Sequence, residues 1–578
     1  MAGVVEQLDQ QLVELFSGWN STTTLLVLAI AGFLAYTIYL GLEDPDIHPM
    51  LLQRSSVAAG IRQPGESAIY RSPHVPHGYP LQTGLSIPGQ QRYERRDGDL
   101  RDVWRKVLGT LPADQGEPVR SPGTILTVIG KEAVEHSFDD VTKEINILGN
   151  HVKEHGGKRV AVYLPNSIEL LTTIFAGAFY GFSPVLIPYN QPHNVVVAML
   201  QHSGADSLIA EAGSIPLSDV AQGVPNLKQA VWVVEKTSRH VDWNEVPEGA
   251  GGKIEVSTWH ELVQDNAAST TTELPQYVTG DKAPNVITIW QDREGSEGET
   301  VEFTQQNMSA AIASLISALP AGQRLSPSDL FLPADSLTSS YTLALTMAAL
   351  FSHASLAITS VAGPGVELSL ATRGVAPTVI SISAETAANL HSATSASVVS
   401  GVKKLAHYTE TRAMTSSGKL PTNTLLTKLN APTRAAVGTT PGKLRLVHVS
   451  ERAGALDAPP LSSADLSDLR IYLHARVVYA LTAARVAGAV TQTNVYDYRR
   501  EELQSQSQLS TSGKGKQYGH FGAPTASVEI KLVDTPEHKT TDDEARGEVV
   551  VMGPSVAGGK AVLPVVGRVR DDGCLAYV

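Results

Sequence analysis

The order of apolar and polar positions predicts an α/β fold over most of the chain. Residues 137–156 repeat apolar side chains at helical spacing, and the apolar, β-branched run Arg159–Leu164 follows as a strand. Helix and strand then alternate as far as Ala210, and again from about residue 304. Strands that alternate with helices of this length predict mainly parallel sheets with crossover helices.

The stretch Val286–Asn307 joins an apolar strand to a helix through a loop that contains two glycines. Val286–Trp290 is the predicted strand, and Val301–Thr304 is predicted to open the helix, with Asn307 in its first turn. This layout is typical of loops that hold phosphate groups, because backbone N–H groups and the helix dipole point into the loop.

The charges of this loop disagree with its layout. Between Gln291 and Thr300 the only cation is Arg293, and it stands among four carboxylates: Asp292, Glu294, Glu297 and Glu299. Two like charges about 4 Å apart repel each other by up to about 4 kcal/mol at an effective dielectric constant near 20. A bound phosphate would therefore be disfavoured, and the loop is predicted to be a structural corner of the sheet and a surface for a partner.

An uncharged apolar segment, Thr22–Leu42, lies near the start of the chain. Its length is sufficient to cross a hydrocarbon core of about 30 Å as a helix. The residues before it include three carboxylates and no Lys or Arg, which disfavours a cleaved signal peptide. A single uncleaved membrane helix is predicted, with Arg54 and Arg62 placing the large domain in the cytosol. The sequence does not indicate which organelle is involved.

Composition limits the possible partners and sites. The 578 residues carry a net charge of −13, which argues against a nucleic-acid partner. The single cysteine, Cys574, forms neither an internal disulfide nor a cysteine-rich metal site. No metal site is predicted from the histidines. The predicted segments are a short N-terminal segment (1–21), the membrane helix (22–42), a linker and surface segment (43–106), the α/β region (107–526) and a small β subdomain (527–578).

Several runs resemble the adenylate-forming enzymes, the superfamily of acyl-CoA synthetases, luciferases and peptide-synthetase adenylation domains. The longest is Lys158–Asn190, KRVAVYLPNSIELLTTIFAGAFYGFSPVLIPYN, and the most specific is RGEVVVMGPSV at Arg546–Val556. The resemblance covers roughly residues 130 to 578. It implies the large N-terminal domain of that fold, with two stacked α/β subdomains, mainly parallel sheets and a small β subdomain.

The resemblance also implies an active site, and its motifs are altered in this sequence. The family's phosphate-loop lysine falls on Glu299. In the Y-G-x-T-E motif, Tyr479 and Thr482 match and remain candidate nucleotide contacts, whereas the Mg²⁺-holding glutamate is Ala483. The aspartate that holds the ribose falls on Val565. The family's small C-terminal domain, with its catalytic lysine, is expected to be absent from this sequence.

These residues favour a membrane-anchored, catalytically inactive relative of long-chain fatty acyl-CoA synthetases. Such a protein would act as a scaffold, complex subunit or regulator in lipid metabolism, with no cofactor expected and no catalytic residue assigned. Its expected partners are a membrane through Thr22–Leu42, a protein, and a fatty acid or acyl-CoA. One alternative is an active, divergent fatty acid–CoA ligase that uses ATP and Mg²⁺ and is completed by a partner domain. Another is a lipid or acyl-CoA binding module.

Overall fold

A computed structural model describes most of the chain. The described residues are 19–41, 44–86, 98–111, 123–234, 254–276, 281–422, 425–455, 460–500, 518–541 and 544–578. Residues 1–18 of the predicted N-terminal segment lie outside these ranges.

The structure contains helices throughout its described length. In chain order they are α1 (Ser21–Gly41), α2 (Pro49–Leu52), α3 (Leu100–Val107), α4 (Phe138–Glu154), α5 (Ile168–Tyr180), α6 (His193–Ser203), α7 (Leu217–Gly223), α8 (Trp259–Asn266), α9 (Gln305–Ser317), α10 (Ser340–Phe351), α11 (Leu368–Ala371), α12 (Ala384–Ser397), α13 (Gly401–Ser417), α14 (Leu425–Asn430) and α15 (Ser463–Leu473).

The strands form three sheets. In chain order they are β1 (Val57–Ala58), β2 (Tyr70–Arg71), β3 (Ile125–Ile129), β4 (Glu132–His136), β5 (Arg159–Tyr163), β6 (Ser183–Leu186), β7 (Ser207–Glu211), β8 (Gln229–Val233), β9 (Glu255–Thr258), β10 (Val286–Trp290), β11 (Glu299–Phe303), β12 (Leu330–Pro333), β13 (Ser355–Thr359), β14 (Val379–Ser383), β15 (Leu446–Arg452), β16 (Arg476–Thr482), β17 (Thr491–Gln492), β18 (Ala523–Pro524), β19 (Glu529–Val533), β20 (Arg546–Met552), β21 (Lys560–Val569) and β22 (Leu575–Tyr577).

A seven-stranded sheet has the order β11-β10-β6-β5-β7-β8-β9, and only the β10–β11 pair is antiparallel. Its crossover helix α5 is capped by Ser167, whose hydroxyl accepts a hydrogen bond from the Leu170 N–H. The helix ends at Gly181, where φ is 90°, a backbone conformation that glycine adopts without a steric penalty. The predicted helix 137–156 and strand Arg159–Leu164 are confirmed as α4 and β5.

A nine-stranded sheet has the order β18-β17-β16-β15-β14-β12-β13-β3-β4. The strands from β16 to β3 are parallel, and antiparallel pairs close both edges. The largest hydrophobic core combines residues of both large sheets with α3, α5, α9 and α10. The predicted arrangement of two α/β sheet units is therefore confirmed.

The small β subdomain draws strands from both ends of the described chain. Its six-stranded sheet has the order β1-β2-β19-β20-β21-β22, and β2 pairs antiparallel with β19. The Arg71 guanidinium lies 2.6 Å from the Glu529 carboxylate across this pair. Residues 57–71 thus complete the sheet that the sequence placed in 527–578 alone.

The prediction that residues 43–106 are a linker and surface segment is wrong for its last part. Helix α3 is buried on one face, and Trp104 lies fully inside the main core, in contact with the rings of Phe138 and Phe175. Asp99 caps the helix, and its carboxylate also pairs with Arg101 at 2.7 Å. Pairing lets these two charged side chains be buried, so their charges did not indicate a surface position.

Within the apolar segment predicted as Thr22–Leu42, the residues up to Gly41 belong to helix α1, and their described side chains are almost all exposed. In the part of the chain that the structure describes, no helix is long and apolar enough to cross a membrane. The prediction of a transmembrane helix is therefore not supported.

Residues 301–303 were predicted to open a helix, and this is wrong. They belong to strand β11, which pairs antiparallel with β10, and α9 begins only after Thr304. The β-branched and aromatic residues of Val301–Phe303 suit a half-buried strand. Gly298, with φ 69°, makes the tight approach to β10, where a Cβ atom would lie 2.5 Å from the Trp290 carbonyl oxygen.

Candidate functional site

The candidate site lies at the carboxyl edge of the two large sheets. Parallel strands end on the same side of a sheet, so β12, β15 and β16 bring Asp335, Glu451 and Thr482 to one edge. Asn166, which follows β5, donates hydrogen bonds to the Pro333 and Asp335 carbonyl oxygens at 3.2 and 2.9 Å. This contact joins the carboxyl edge of the seven-stranded sheet to that of the nine-stranded sheet.

Glu451 forms the polar centre of this edge and was not identified from the sequence. Its carboxylate accepts a hydrogen bond from the Tyr479 hydroxyl at 2.6 Å, and its backbone carbonyl accepts one from the Thr482 hydroxyl at 2.8 Å. All three side chains are buried. Burial raises the pKa of Glu451 to about 7, although the Tyr479 hydrogen bond and the charge of Arg452 act in the opposite direction.

Tyr479 and Thr482, the two candidate nucleotide contacts, are engaged inside the protein. The Tyr479 ring packs against Phe521 at a centroid distance of 4.8 Å, and its hydroxyl also accepts a hydrogen bond from the Leu461 N–H at 3.1 Å. The Thr482 hydroxyl is used by Glu451. These contacts give both residues a structural role, and their role as nucleotide contacts stays a prediction.

Replacing Tyr479 with phenylalanine should destabilise the protein by about 1–3 kcal/mol. The change leaves the buried Glu451 carboxyl and the Leu461 N–H without their shared partner, and an unsatisfied buried polar group costs about this much. Urea unfolding followed by circular dichroism would measure the difference. Tyr408→Phe, at an exposed tyrosine, is the matched control and should change stability by less than about 0.5 kcal/mol.

A second buried carboxyl, Asp335, follows strand β12. It accepts hydrogen bonds from the Ser336 N–H at 2.8 Å, the Ser450 hydroxyl at 3.2 Å and the Thr342 hydroxyl at 3.3 Å. Burial raises the pKa of Asp335, and the Ser336 and Ser450 hydrogen bonds oppose that rise. Asp335 was not identified from the sequence, because an aspartate after a strand resembles an ordinary turn residue.

The loop between β10 and β11 is filled by a side chain from elsewhere in the chain. The side-chain amide oxygen of Gln191 accepts hydrogen bonds from the Gln291 side-chain amide at 2.8 Å and from the Gly295 N–H at 3.2 Å. Gln291 also donates to the Ser296 carbonyl oxygen at 2.7 Å. One backbone N–H of this loop, a group that phosphate loops offer to their ligand, is therefore directed to Gln191.

Glu299, at the family's lysine position, forms an ion pair across the site. Its carboxylate lies 2.6 Å from the Arg485 guanidinium, three residues beyond the end of β16. The Arg452 guanidinium stacks over the Trp290 ring at 4.9 Å, which also joins the two sheets. The loop between β10 and β11 thus lies close to the Tyr479–Ala483 segment, as the resemblance implies. The contact that joins them is the Glu299–Arg485 ion pair.

The acidic loop is exposed to solvent. Its carboxylates, Asp292, Glu294, Glu297 and Glu299, all lie on the surface. The hydrogen bond from Ser296 is the main reason that the pKa of Asp292 is lowered. Because water screens exposed charges, the repulsion of a phosphate is weaker than the upper value expected from the sequence. The loop alone therefore discourages anion binding without forbidding it.

The other altered positions lie in apolar surroundings. Ala483 is buried, and Val565 is half-buried against the second hydrophobic core. Val565 lies where the register of β20 and β21 shifts. Asn307 caps α9 together with Thr304, and its amide donates to the Pro554 carbonyl oxygen at 2.7 Å. Neither the Ala483 nor the Val565 side chain offers an oxygen to a metal ion or a ribose.

Magnesium and ATP, which this fold implies, do not fit the residues present. The residue that the resemblance aligns with the family's lysine is a paired carboxylate, and the one aligned with the magnesium-holding glutamate is an alanine. The Gly295 N–H is occupied by Gln191. Within the described ranges, no group of three or more His, Cys, Asp or Glu side chains could hold a metal ion. No catalytic step through ATP is derived from this geometry.

Comparisons with known sequences point to the same fold family. The model of the family described as AMP-binding enzyme matches residues 118–282. The uncharacterized protein YHR045W of Saccharomyces cerevisiae is 34% identical over 86 residues. This match spans 15% of the present chain and 15% of the yeast protein.

Solved structures match over most of the chain. A long-chain-fatty-acid-CoA ligase from Archaeoglobus fulgidus has a TM-score of 0.56 and 13% identity, covering 86% of each chain. The anthranilate CoA ligase AuaEII in complex with anthranoyl-AMP has a TM-score of 0.55 and 15% identity, covering 83% of this chain and 77% of its own. The benzoate CoA ligase of Burkholderia xenovorans LB400 has a TM-score of 0.53 and 15% identity, covering 83% and 79%. The chain therefore has the fold of the adenylate-forming enzymes, its residues 118–282 match the AMP-binding enzyme family, and it resembles the long-chain fatty acyl-CoA synthetases.

Proposed function

We propose that this protein is a non-catalytic acyl-CoA synthetase-like protein that acts in lipid metabolism by binding a protein partner. The observation that carries the proposal is the Glu299–Arg485 ion pair, which closes the position where the family's lysine meets phosphate. The buried hydrogen bonds of Glu451 with Tyr479 and Thr482 support it, because they occupy the two remaining polar groups of the nucleotide motif.

The packing supports a binding role for the retained fold. The carboxyl edge of both sheets is filled by internal contacts, while the loop between β10 and β11 presents its carboxylates to solvent. A cluster of exposed carboxylates steers basic protein surfaces toward it. The expected partner is therefore a protein with a basic surface that docks at this loop.

The full-length protein should neither bind Mg²⁺·ATP in the micromolar range nor catalyse fatty-acid-dependent exchange of pyrophosphate into ATP. Isothermal titration with Mg²⁺·ATP and an exchange assay over short- to long-chain fatty acids would measure both. Binding in the micromolar range, or any exchange that depends on a fatty acid, would refute the proposal. An active acyl-CoA synthetase serves as the positive control.

Replacing Glu299 with lysine should increase the weak affinity for ATP by at least about fivefold, since the change removes a carboxylate and adds a cation at the phosphate position. Glu302→Lys is the matched control. Glu302 lies on the same strand, is equally exposed and pairs with Arg159 at 2.7 Å, away from Arg485. Nucleotide titrations of both variants would compare them. Equal affinities would show that the charge at residue 299 does not set nucleotide exclusion.

A second candidate function is an active, divergent fatty acid–CoA ligase completed by a partner domain. The buried carboxyls of Asp335 and Glu451 at the carboxyl edge of the sheet favour it, because perturbed carboxyls in such places are frequent at active sites. It would require Glu294 or Glu297 to hold Mg²⁺. The same exchange assay, repeated with cell extract as a source of the partner domain, separates the two functions.

A further inference from the structure

Helix α13 exposes an apolar stripe. Val402 is 65% exposed, Leu405 63% and Tyr408 57%, and their spacing of three residues places them along one side of the helix. The opposite side is already packed, because Ala406 and Met414 are buried. The helix therefore has a second apolar face beyond the one its own fold requires.

The acidic and basic side chains of α13 lie on different faces of the helix. Its one carboxylate, Glu410, is 2% exposed and accepts a hydrogen bond from the Asn430 amide. Lys404 and Arg412 are exposed beside the apolar stripe, and Lys403 is half-buried. The outer face of the helix is thus apolar and cationic without an acidic residue, in a chain whose net charge is −13.

A second exposed apolar element adjoins α13. Helix α1 contacts α13, and its apolar side chains, including Leu25 and Phe33, are exposed. The segment that follows α1 is joined to the end of α13, because the Asp46 N–H donates a hydrogen bond to the Gly418 carbonyl oxygen at 3.0 Å. Helix α13 therefore lies beside a second helix that exposes apolar side chains.

We propose that the outer face of α13 lies in the headgroup region of an anionic phospholipid bilayer, with Val402, Leu405 and Tyr408 reaching toward the acyl chains. A helix with an apolar face flanked by Lys and Arg binds in the plane of such an interface. Tyrosine suits this depth because its ring is apolar and its hydroxyl is polar. The distribution of charge on α13 favours a bilayer over a second copy of this chain as the occupant. Two such faces, each cationic and without a carboxylate, would repel each other, whereas anionic lipid would be attracted.

The test is a fluorescent label at the stripe of the full-length protein, reconstituted into vesicles. Val402→Cys and Leu405→Cys, each labelled with a polarity-sensitive dye, report from the proposed lipid-facing positions. Asn194→Cys, exposed on α6, is the matched control. The native Cys574 is fully buried and its thiol pKa is raised to about 12 by burial, so it does not take the label.

In vesicles of phosphatidylcholine with phosphatidylserine, the dyes at 402 and 405 should shift to the blue and be quenched by spin-labelled lipid. The dye at 194 should not change. Replacing both Lys403 and Lys404 with glutamate should weaken the response by at least roughly fivefold for each lysine in these vesicles, and by less in pure phosphatidylcholine. Because the readout is local, insertion of α1 alone would leave both stripe positions unchanged and would overturn the proposal. A shift that depends on protein concentration without vesicles would identify a second copy as the occupant instead.

Discussion

Replacing Glu451 with glutamine is expected to make the stability of the protein less dependent on pH between about 4.5 and 7. Burial raises the pKa of this carboxyl from its ordinary value of 4.5 to about 7, so the folded protein holds the proton more tightly than the unfolded chain. Its contribution to stability is complete below pH 4.5 and is lost as the pH rises through 7. The difference corresponds to on the order of 3 kcal/mol.

The glutamine side chain stays neutral and can still accept the Tyr479 hydrogen bond. The variant should therefore match the parent protein near pH 4.5 and exceed it in stability at pH 8. Urea unfolding at several pH values would measure this, with Glu548→Gln on the exposed face of β20 as the control. A constant difference between Glu451→Gln and the parent across this range would show that Glu451 is already ionised in the folded protein.

Replacing Trp104 with alanine is expected to lower the free energy of unfolding by about 3–5 kcal/mol, the cost of removing a large aromatic side chain from a core. Trp104 is fully buried, and its centroid lies 4.8 Å from that of Phe175. Its indole N–H donates to the Thr142 hydroxyl at 3.1 Å. Urea unfolding followed by near-ultraviolet circular dichroism would record the loss.

Tyr79→Ala, at an exposed aromatic outside the core, is the matched control and should cost less than about 0.5 kcal/mol. Trp104→Phe should fall between the two because it keeps most of the ring packing. If Trp104→Ala behaved like Tyr79→Ala, α3 would be a dispensable surface segment, as the sequence had suggested. The expected result would instead make residues 100–107 a part of the main core.

Periodicity was sufficient to predict the sheet architecture, because crossover helices and buried strands leave strong local patterns. The helix of residues 137–156 and the strand of residues 159–164 are confirmed with ends that differ by a few residues. The local pattern gave a wrong prediction where pairing with another strand determines the secondary structure. Val301–Phe303 resembled the start of a helix, and its antiparallel pairing with β10 makes it a strand.

The sequence could predict which residues of the candidate site are altered but not what replaces their contacts. Glu299 was identified as altered because the resemblance aligns it with the family's lysine. Its partner Arg485 could not be predicted, because it lies 186 positions away. Gln191 reaches the loop at Gln291 from 100 positions away, and no local signal marks either pair. Glu451 sits in the run Leu446–Arg452, where an acidic residue near a strand end resembles a solvated one. Burial by the neighbouring strands makes it the polar centre of the site.

The pairing of β2 with β19 sets a condition on how the protein folds during synthesis. Arg71 and its partner Glu529 are separated by 458 positions. At roughly 5–20 residues per second, the ribosome needs about 20–90 s to produce the second strand after the first. During that interval residues 57–71 have no sheet to join and offer unpaired backbone to other chains. The small sheet can therefore close only after β19 has been synthesised, and residues 57–71 stay open to other chains until then.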